Sequence, residues 1–290
     1  MTENTAENTA ENTAGNTTGN TTLVIGSTGK TGRRVAARLR ARGLAVRDGS
    51  RSANPPFDWN DRATWEPALR DVRAVYVTYY PDLAAPGAAD AVRALAALAV
   101  DGGVRRLVLL SGRGEPEAAA AERAVQESGA EWTIVRASWF FQNFDEGHLL
   151  EPVLGGTIAL PAGDVAEPFV DAEDIADVVA EALTGDGHAG EVYEVTGPRL
   201  LTFAEAAAEI SDAAGREVRY LPVSAAGYAA TLKEYGVPPE EAEVLAGMFA
   251  DILDGRNAHL ADGVRRALGR EPRDFADYVK AVAATGVWKG

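Results

Sequence analysis

The amino-acid sequence predicts an α/β protein built on a parallel sheet. Three observations carry that prediction. Short apolar runs alternate with helical stretches of about 10–15 residues, the pattern of βαβ units. The first run, Leu23-Val24-Ile25, leads straight into the glycine-rich segment Gly26-Ser27-Thr28-Gly29-Lys30-Thr31-Gly32. A helical pattern starts at Lys30 and stops at Gly43, completing strand, turn and helix within one short segment.

The elements follow in order. The first helix sets Val35, Ala36 and Leu39 on one face and Arg33, Arg34, Arg38, Arg40 and Arg42 mostly on the others. Leu44 to Arg47 reads as a second strand, and "DRATWEPALRDV" as a short helix capped by Asp61 or Thr64. Ala74 to Asp82 is a strand ending in aromatics, and "GAADAVRALAALAVDGG" is a helix closed by Gly102 and Gly103. "RRLVLLSGRG" is a strand ending at Ser111; "EPEAAAAERAVQESG" is a helix stopped by Gly129; "EWTIVRASWFFQNF" begins as a further strand. Beyond it, "GTIALPAGDVAEPFVDAEDIADVVAEALTG" offers a short strand, a loop and a helix capped near Asp171. Thr202 and Glu205 form a capping box at the next helix. Tyr228 to His259 is helix-rich, and some of Leu232, Tyr235, Leu245, Met248, Phe249 and Ile252 should face a pocket. "GREPRDFADYVKAV" closes the chain against the core.

The glycine-rich turn admits two readings. Gly29-Lys30-Thr31 matches the tail of a nucleotide-triphosphate loop, but that loop needs a glycine where Val24 stands, inside the strand. The spacing of Gly26, Gly29 and Gly32 instead suits a dinucleotide turn. Gly26 allows the tight turn, Gly29 the approach of a pyrophosphate, and Gly32 close helix–strand packing. The helix N-terminus adds free N–H donors. A tight βα turn without a ligand is the bland alternative. Ligands of such sheets bind at the carboxyl ends of strands, which points to the glycine turn, Ser50-Arg51, Tyr79-Tyr80, Ser111 and Trp139 onward.

The end of the second strand, "VRDGSRS", bears on the choice of cofactor. Arg51, flanked by Ser50 and Ser52, offers a planar fork of donors to a 2′-phosphate, favouring NADP(H). Asp48, were it to face the ribose, would favour NAD(H) instead.

Composition excludes several classes. With no cysteine there are no disulfides or thiolate metal sites, and His148, His188 and His259 lack ligand spacing. No metal is expected. The net charge of −15 argues against nucleic acid and anionic lipid as partners. No apolar run is long enough to span a membrane, so a soluble, cytoplasmic protein with a small-molecule substrate is expected. Residues 3–22 are five tetrapeptides, "ENTA" three times and then "GNTT" twice, and predict a disordered tail over 1–22.

Several stretches resemble the NmrA-like branch of the atypical short-chain dehydrogenase/reductases, in particular bacterial relatives of the ergot-alkaloid (festuclavine or agroclavine) dehydrogenases. They include "GSTGKTGRRV", "FDWNDRATW", "RLVLLSGRG", "ERAVQESGAEWTIVRASWFFQNF", "EPFVDAEDIADV", "VYEVTGPRLLTFAEAAAEI" and "GREPRDFADY". The resemblance implies a Rossmann-type, doubly wound core over residues 23–145. Residues 146–290 would add the remaining core elements and a smaller C-terminal α/β lobe closing over substrate. It assigns the whole glycine turn from Gly26 to Gly32 to phosphate binding, Arg51 to the adenosine phosphate and Asp58 to adenine. Thr78, Tyr79 and Tyr80 would line the cofactor, Ser111 would lie beside the nicotinamide, and Trp139 to Phe144 would stand between cofactor and substrate. Trp139, Phe140, Phe141, Asn143 and Phe144 are thus candidate pocket residues. Family members more often carry proline where Ala137 stands.

One departure from the wider superfamily bears on chemistry. The helix "EAAAAERAVQES" lacks the Tyr-x-x-x-Lys dyad, and no tyrosine in the chain is followed four residues later by lysine. Reducing a carbonyl to an alcohol needs the proton that dyad supplies. An iminium needs only hydride, and a quinone or enone can collect its proton from water. The expected activity is therefore hydride transfer to an imine, quinone or enone. Tyr80 and Ser111 are the remaining candidates for acid or hydrogen-bond donor; stacking by the tyrosines and capping by the serine are the alternatives. A non-catalytic dinucleotide sensor, which would lack a substrate pocket, is the competing reading of the chain as a whole.

Overall fold

A computed structural model describes residues 21–289. The predicted tail up to residue 20 lies outside the described residues, whereas Thr21 and Thr22 open the first strand instead of ending the tail. Six strands form one wholly parallel sheet: β1 (Thr21–Ile25), β2 (Val46–Gly49), β3 (Val72–Val77), β4 (Arg106–Gly112), β5 (Glu131–Ala137) and, after two short strands β6 (Thr157–Leu160) and β7 (Ala166–Glu167), β8 (Glu191–Val195). The order is β2-β1-β3-β4-β5-β8. The chain steps outward from β1 to β2, then returns to place β3 on the other side of β1. That reversal opens a crevice at the carboxyl end of β1, directly under the glycine turn.

Alternation along the strands sends side chains to two buried faces. Leu23, Ile25, Val75, Val77, Leu107, Leu109 and Ile134 enter one core with α2 (Trp65–Leu69), α3 (Ala88–Asp101) and α4 (Ala119–Gln126). Val24, Ala74, Tyr76, Val108, Val135, Tyr193 and Val195 enter the other, with α1 (Lys30–Ala41) and, past the short α5 (Leu150–Leu154), α6 (Ala172–Thr184). The sheet is therefore covered on both sides. Arginines of α1 pair with carboxylates of α6: Arg34 meets Glu173 at 2.5 Å, and Arg38 meets Glu173 at 2.6 Å and also Asp177.

The second strand starts two residues later than the sequence suggests. Gly43, at φ +75°, closes α1 with Leu44 donating back to the Leu39 carbonyl, so Leu44 belongs to the helix end. The third strand runs from Val72 and ends at Val77, leaving Thr78 to Asp82 as loop. Asp61 caps a short 3₁₀ turn before α2 by accepting from the Ala63 N–H. Asp171 caps α6, and Thr202 with Glu205 forms the expected box at α7 (Phe203–Ala214), which follows the two-residue strand β9 (Leu201–Thr202).

The third core is aromatic and lies beyond the sheet. Phe141, Phe144, Phe169, Phe203, Phe275 and Trp288 fill it, joined by residues of α5, β6, α7 and α11 (Phe275–Thr285). Strand β10 (Arg219–Pro222) pairs in parallel with β6. Two helices packed on each other, α8 (Ala225–Glu234) and α9 (Pro239–Ile252), join this lobe through Phe249, and α10 (Gly263–Leu268) returns the chain to the sheet at β8.

Candidate active site

The glycine turn is built by close backbone approach. Gly26 takes φ +70° and donates to the Gly49 carbonyl at 2.8 Å, tying β1 to β2. Gly29 donates to the Gly26 carbonyl at 2.8 Å and stands as the N-cap of α1, with no side chain capping the helix and no acidic residue in its first turn. A Cβ on Gly32 would overlap the Gly26 carbonyl oxygen and lie 2.6 Å from its carbon. The N–H groups of the first helical turn have no intrahelical partner and can receive an anion. Ser27 is 7% exposed and its Oγ has no hydrogen-bond partner among the described residues.

Not every residue of the turn faces outward. Thr31 is buried, and its hydroxyl accepts from Tyr76 at 2.9 Å, so its side chain serves the core and leaves only its backbone to the turn. Thr28 and Gly29 are exposed. Lys30 donates to Asn143 at 3.1 Å, and burial lowers its pKa. Thr78 bridges the crevice by donating to the Ile25 carbonyl at 3.1 Å.

At the end of β2 the two opposing signals separate. Asp48 is held by Arg40 at 2.6 Å, an ion pair with α1. Arg51 is exposed and forms no ion pair or side-chain hydrogen bond with the described residues. Ser50 and Ser52 lie 3.2 Å apart through their hydroxyls. The carboxylate of Asp58 accepts from the Asn60 N–H at 3.0 Å, shaping its own turn.

A cavity of about 1100 Å³ opens at the carboxyl ends of β3, β4 and β5. Lys30 stands at one end; Thr78 and Tyr79, Ser111 and Gly112, and Ala137 to Phe140 line the sheet side. The far wall is α8 and α9, where Leu232, Tyr235, Leu245, Met248, Phe249 and Ile252 all contribute. Trp139 packs against Phe249 at 5.5 Å and edge-on to Phe203 at 5.7 Å, giving a flat apolar wall.

Three of the expected site residues fall outside the cavity, and a fourth faces it with its proton engaged. Tyr80 is 78% exposed and outside the cavity, because β3 ends at Val77 and the following loop turns it to solvent; it is no acid for this site. Ser111 faces the cavity, but its hydroxyl donates to Glu122 at 2.7 Å, and Glu122 is also clamped by Arg136 at 2.7 Å. Its proton is therefore committed to α4. Phe141 and Phe144 are fully buried in the aromatic core, since the 3₁₀ turn Phe141–Asn143 swings them away from Trp139 and Phe140. Tyr79 lies on the cavity wall and packs on Trp59 at 4.9 Å.

The structure also adds residues that sequence reasoning passed over. His148 projects into the cavity and is accessible there, although protein encloses it; that enclosure and nearby Lys30 push its pKa down to about 4. Its ring sits 5.8 Å from Trp139 and 5.4 Å from Phe249, so at neutral pH it is an uncharged part of the wall. Glu115 and Arg113 follow β4 into the cavity. Arg113 is held by Glu194 at 3.0 Å and the Asn257 carbonyl at 2.9 Å. A lone histidine and a glutamate ahead of a helix carry no motif, so only the fold could find them.

Residues 26–186 match the family model described as NAD(P)H-binding. The chain is 32% identical to agroclavine dehydrogenase of Claviceps fusiformis over 280 residues, covering 89% of this chain and 95% of that one. It is 35% identical over 283 residues to (4-alkanoyl-5-oxo-2,5-dihydrofuran-3-yl)methyl phosphate reductase of Streptomyces griseus, covering 88% and 95%. In fold it is similar to the NADPH-dependent quinone oxidoreductase QOR2 of Escherichia coli complexed with NADPH, at a TM-score of 0.72 and 23% identity over 90% of this chain and 99% of that one. No helix among the described residues is long and apolar enough to cross a membrane. From the glycine turn at the sheet's reversal point to these full-length likenesses, the chain belongs to the NAD(P)H-binding family of oxidoreductases, with a fold similar to that of NmrA.

Proposed function

We propose that this protein is an NADP(H)-dependent reductase that delivers hydride to a small, flat organic acceptor, an iminium, a quinone or an enone. The observation that carries the reading is the cavity of about 1100 Å³ running from the α1 N-terminus across the ends of β3, β4 and β5 to an aromatic wall. A dinucleotide sensor has no need of such a chamber beside the binding turn.

The turn fits a dinucleotide on its own terms. Ser27 Oγ is a buried polar atom without a partner among the described residues, Gly26 and Gly32 let turn, strand and helix approach where a Cβ would collide, and the first turn of α1 is free of acidic side chains. A pyrophosphate would take the N–H groups of this turn, and Arg51, unpaired while Asp48 is bound to Arg40, would take a 2′-phosphate. The reduced nicotinamide supplies the hydride when bound. Thr78, Tyr79 and Gly112 form the strand-end floor on which the reacting ring and acceptor would meet. Trp139, Phe249 and Met248 orient a flat acceptor by stacking and exclude water from it. The names of the two relatives and the structural neighbour, a clavine dehydrogenase, a dihydrofuranone phosphate reductase and a quinone oxidoreductase, support this acceptor range.

The test is NADPH consumption by the full chain against panels of cyclic iminium ions, quinones and enones, beside binding titrations. Turnover of any one class supports the reading. State-selective cofactor binding with no turnover of any acceptor would favour the sensor.

A further inference from the structure

We propose that Glu115 is the proton donor of this site, giving its proton to the oxygen of a neutral acceptor as that acceptor takes up hydride. The assignment rests on the reductase reading above and names the acid that the absent Tyr-x-x-x-Lys dyad leaves unfilled.

Glu115 lies in the loop after β4, four residues beyond Ser111, and its carboxyl lines the cavity. It sits directly on Gly112 at the strand end, where any Cβ would collide with it. Its carboxylate makes no hydrogen bond and no ion pair among the described residues, so it fixes no loop and caps no helix. No cation is among the groups that shift it, and three arginines of the region are paired with other carboxylates: Arg113 with Glu194, Arg136 with Glu122 and Arg256 with Asp254. The groups facing it are acidic, namely Asp82 from the loop after β3, Glu117 from its own loop and Glu122 from α4. Burial first, then those three carboxylates, pushes its pKa up to about 7.

A carboxyl so placed keeps about half of its acid form at neutral pH and more below it, which makes it a competent acid. Burial pushes the Tyr228 phenol up, away from neutrality; the Ser111 proton is held by Glu122; Tyr80 is outside. In the step itself, an enone or quinone accepts hydride at carbon from the reduced dinucleotide, and the displaced π electrons place negative charge on its oxygen. The Glu115 O–H bond breaks, its electron pair stays on the carboxylate, and the proton joins that oxygen. Water reprotonates Glu115 between turnovers. An iminium takes hydride at carbon and ends as a neutral amine, so it draws nothing from Glu115.

The experiment compares wild type, Glu115→Gln and Glu115→Asp as full chains with NADPH, using one enone and one N-alkyl iminium. For Glu115→Gln the ratio of enone to iminium kcat should fall about 100-fold, the scale of a lost general acid. Wild-type enone kcat should decline as pH rises through about 7, the value at which the acid form is lost, and Glu115→Gln should show no such limb. Glu115→Asp, which keeps the acid, should recover part of the ratio. Independently of turnover, the infrared difference between wild type and Glu115→Gln should contain a protonated carboxyl band that titrates near pH 7, separate from the Glu167 band that both proteins keep. An unchanged ratio and pH profile in Glu115→Gln, or a Glu115 carboxyl already ionised at pH 5.5, would overturn the assignment while leaving the reductase intact. A wild-type protein that turns over neither acceptor would overturn the reductase reading and the proton donor with it.

Discussion

Gly32→Ala should loosen the turn on which the whole site rests. In an ordinary helix the change would stabilise by about 1 kcal/mol, because alanine restricts the unfolded chain and favours helix. Here the new Cβ would overlap the Gly26 carbonyl oxygen and stand 2.6 Å from its carbon and 3.0 Å from the Ser27 nitrogen. Ordinary contact begins near 3.4 Å, and the oxygen is nearer than the carbon, so α1 and the turn must separate by more than about 1 Å. Both sides are backbone and no side chain can move aside. Overpacking of this kind costs about 3 kcal/mol at the upper end of the usual range, which leaves a net loss of about 2 kcal/mol. A protein of this size should then melt about 4–8 °C lower. NADPH affinity should fall about tenfold or more, because the N–H groups that meet the pyrophosphate move with the turn. Gly247→Ala is the matched control, since Gly247 lies within α9 with open space where the Cβ would go, and it should raise the melting temperature. Calorimetric melting and titration with NADPH read both effects. If Gly32→Ala stabilises as Gly247→Ala does and binds NADPH normally, the close approach of helix and turn is not what shapes this site.

Two further outcomes follow from placements that the fold imposes. Tyr80→Phe should leave kcat and KM within about twofold for every acceptor, because the side chain is 78% exposed and outside the cavity; a loss of about 100-fold would restore it as a catalytic acid. Glu167 is fully buried with both carboxylate oxygens unpartnered among the described residues, and burial pushes its pKa from 4.5 up to about 7. A folded-state value above the unfolded one means the folded chain holds the proton more tightly, so stability declines as pH rises from about 4.5 to about 7. Glu167→Gln should therefore raise the melting temperature above that of wild type at pH 8, on a scale of roughly 3 kcal/mol, with little gain at pH 4. A difference independent of pH between the two proteins would mean that Glu167 titrates normally.

The parts of this molecule legible in its sequence are those written in local chemistry. Gly26 and Gly32 had to be glycine for backbone reasons that their spacing already implies, and the caps at Asp171 and Thr202 depend on neighbours within three residues. The apolar spacing of the helix-rich stretch was enough to nominate the cavity wall, and all six named side chains reach it. What the sequence leaves open depends on turns and on partners far along the chain. Whether Tyr79 or Tyr80 enters the cavity is decided by where β3 stops, which its pairing with β1 and β4 sets. The pocket aromatics divide into wall and core at the 3₁₀ turn after Phe140, so one apolar run splits between two environments. Ser111 is disarmed by Glu122, eleven residues away on the next helix, and Asp48 is withdrawn by Arg40 across the α1–β2 connection. Strand β8, added to the sheet beside β5 from far along the chain, frames the site without any motif of its own.

The central claim is that the turn and Arg51 hold a phosphorylated dinucleotide. Calorimetric titration of wild type and Arg51→Ala with NADPH and NADH tests it most directly. Charge-assisted hydrogen bonds to a 2′-phosphate contribute about 1.5–3 kcal/mol, so Arg51→Ala should weaken NADPH about 10- to 150-fold and leave NADH nearly unchanged. Equal binding of the two cofactors by wild type, or an equal loss of both in Arg51→Ala, would contradict the account.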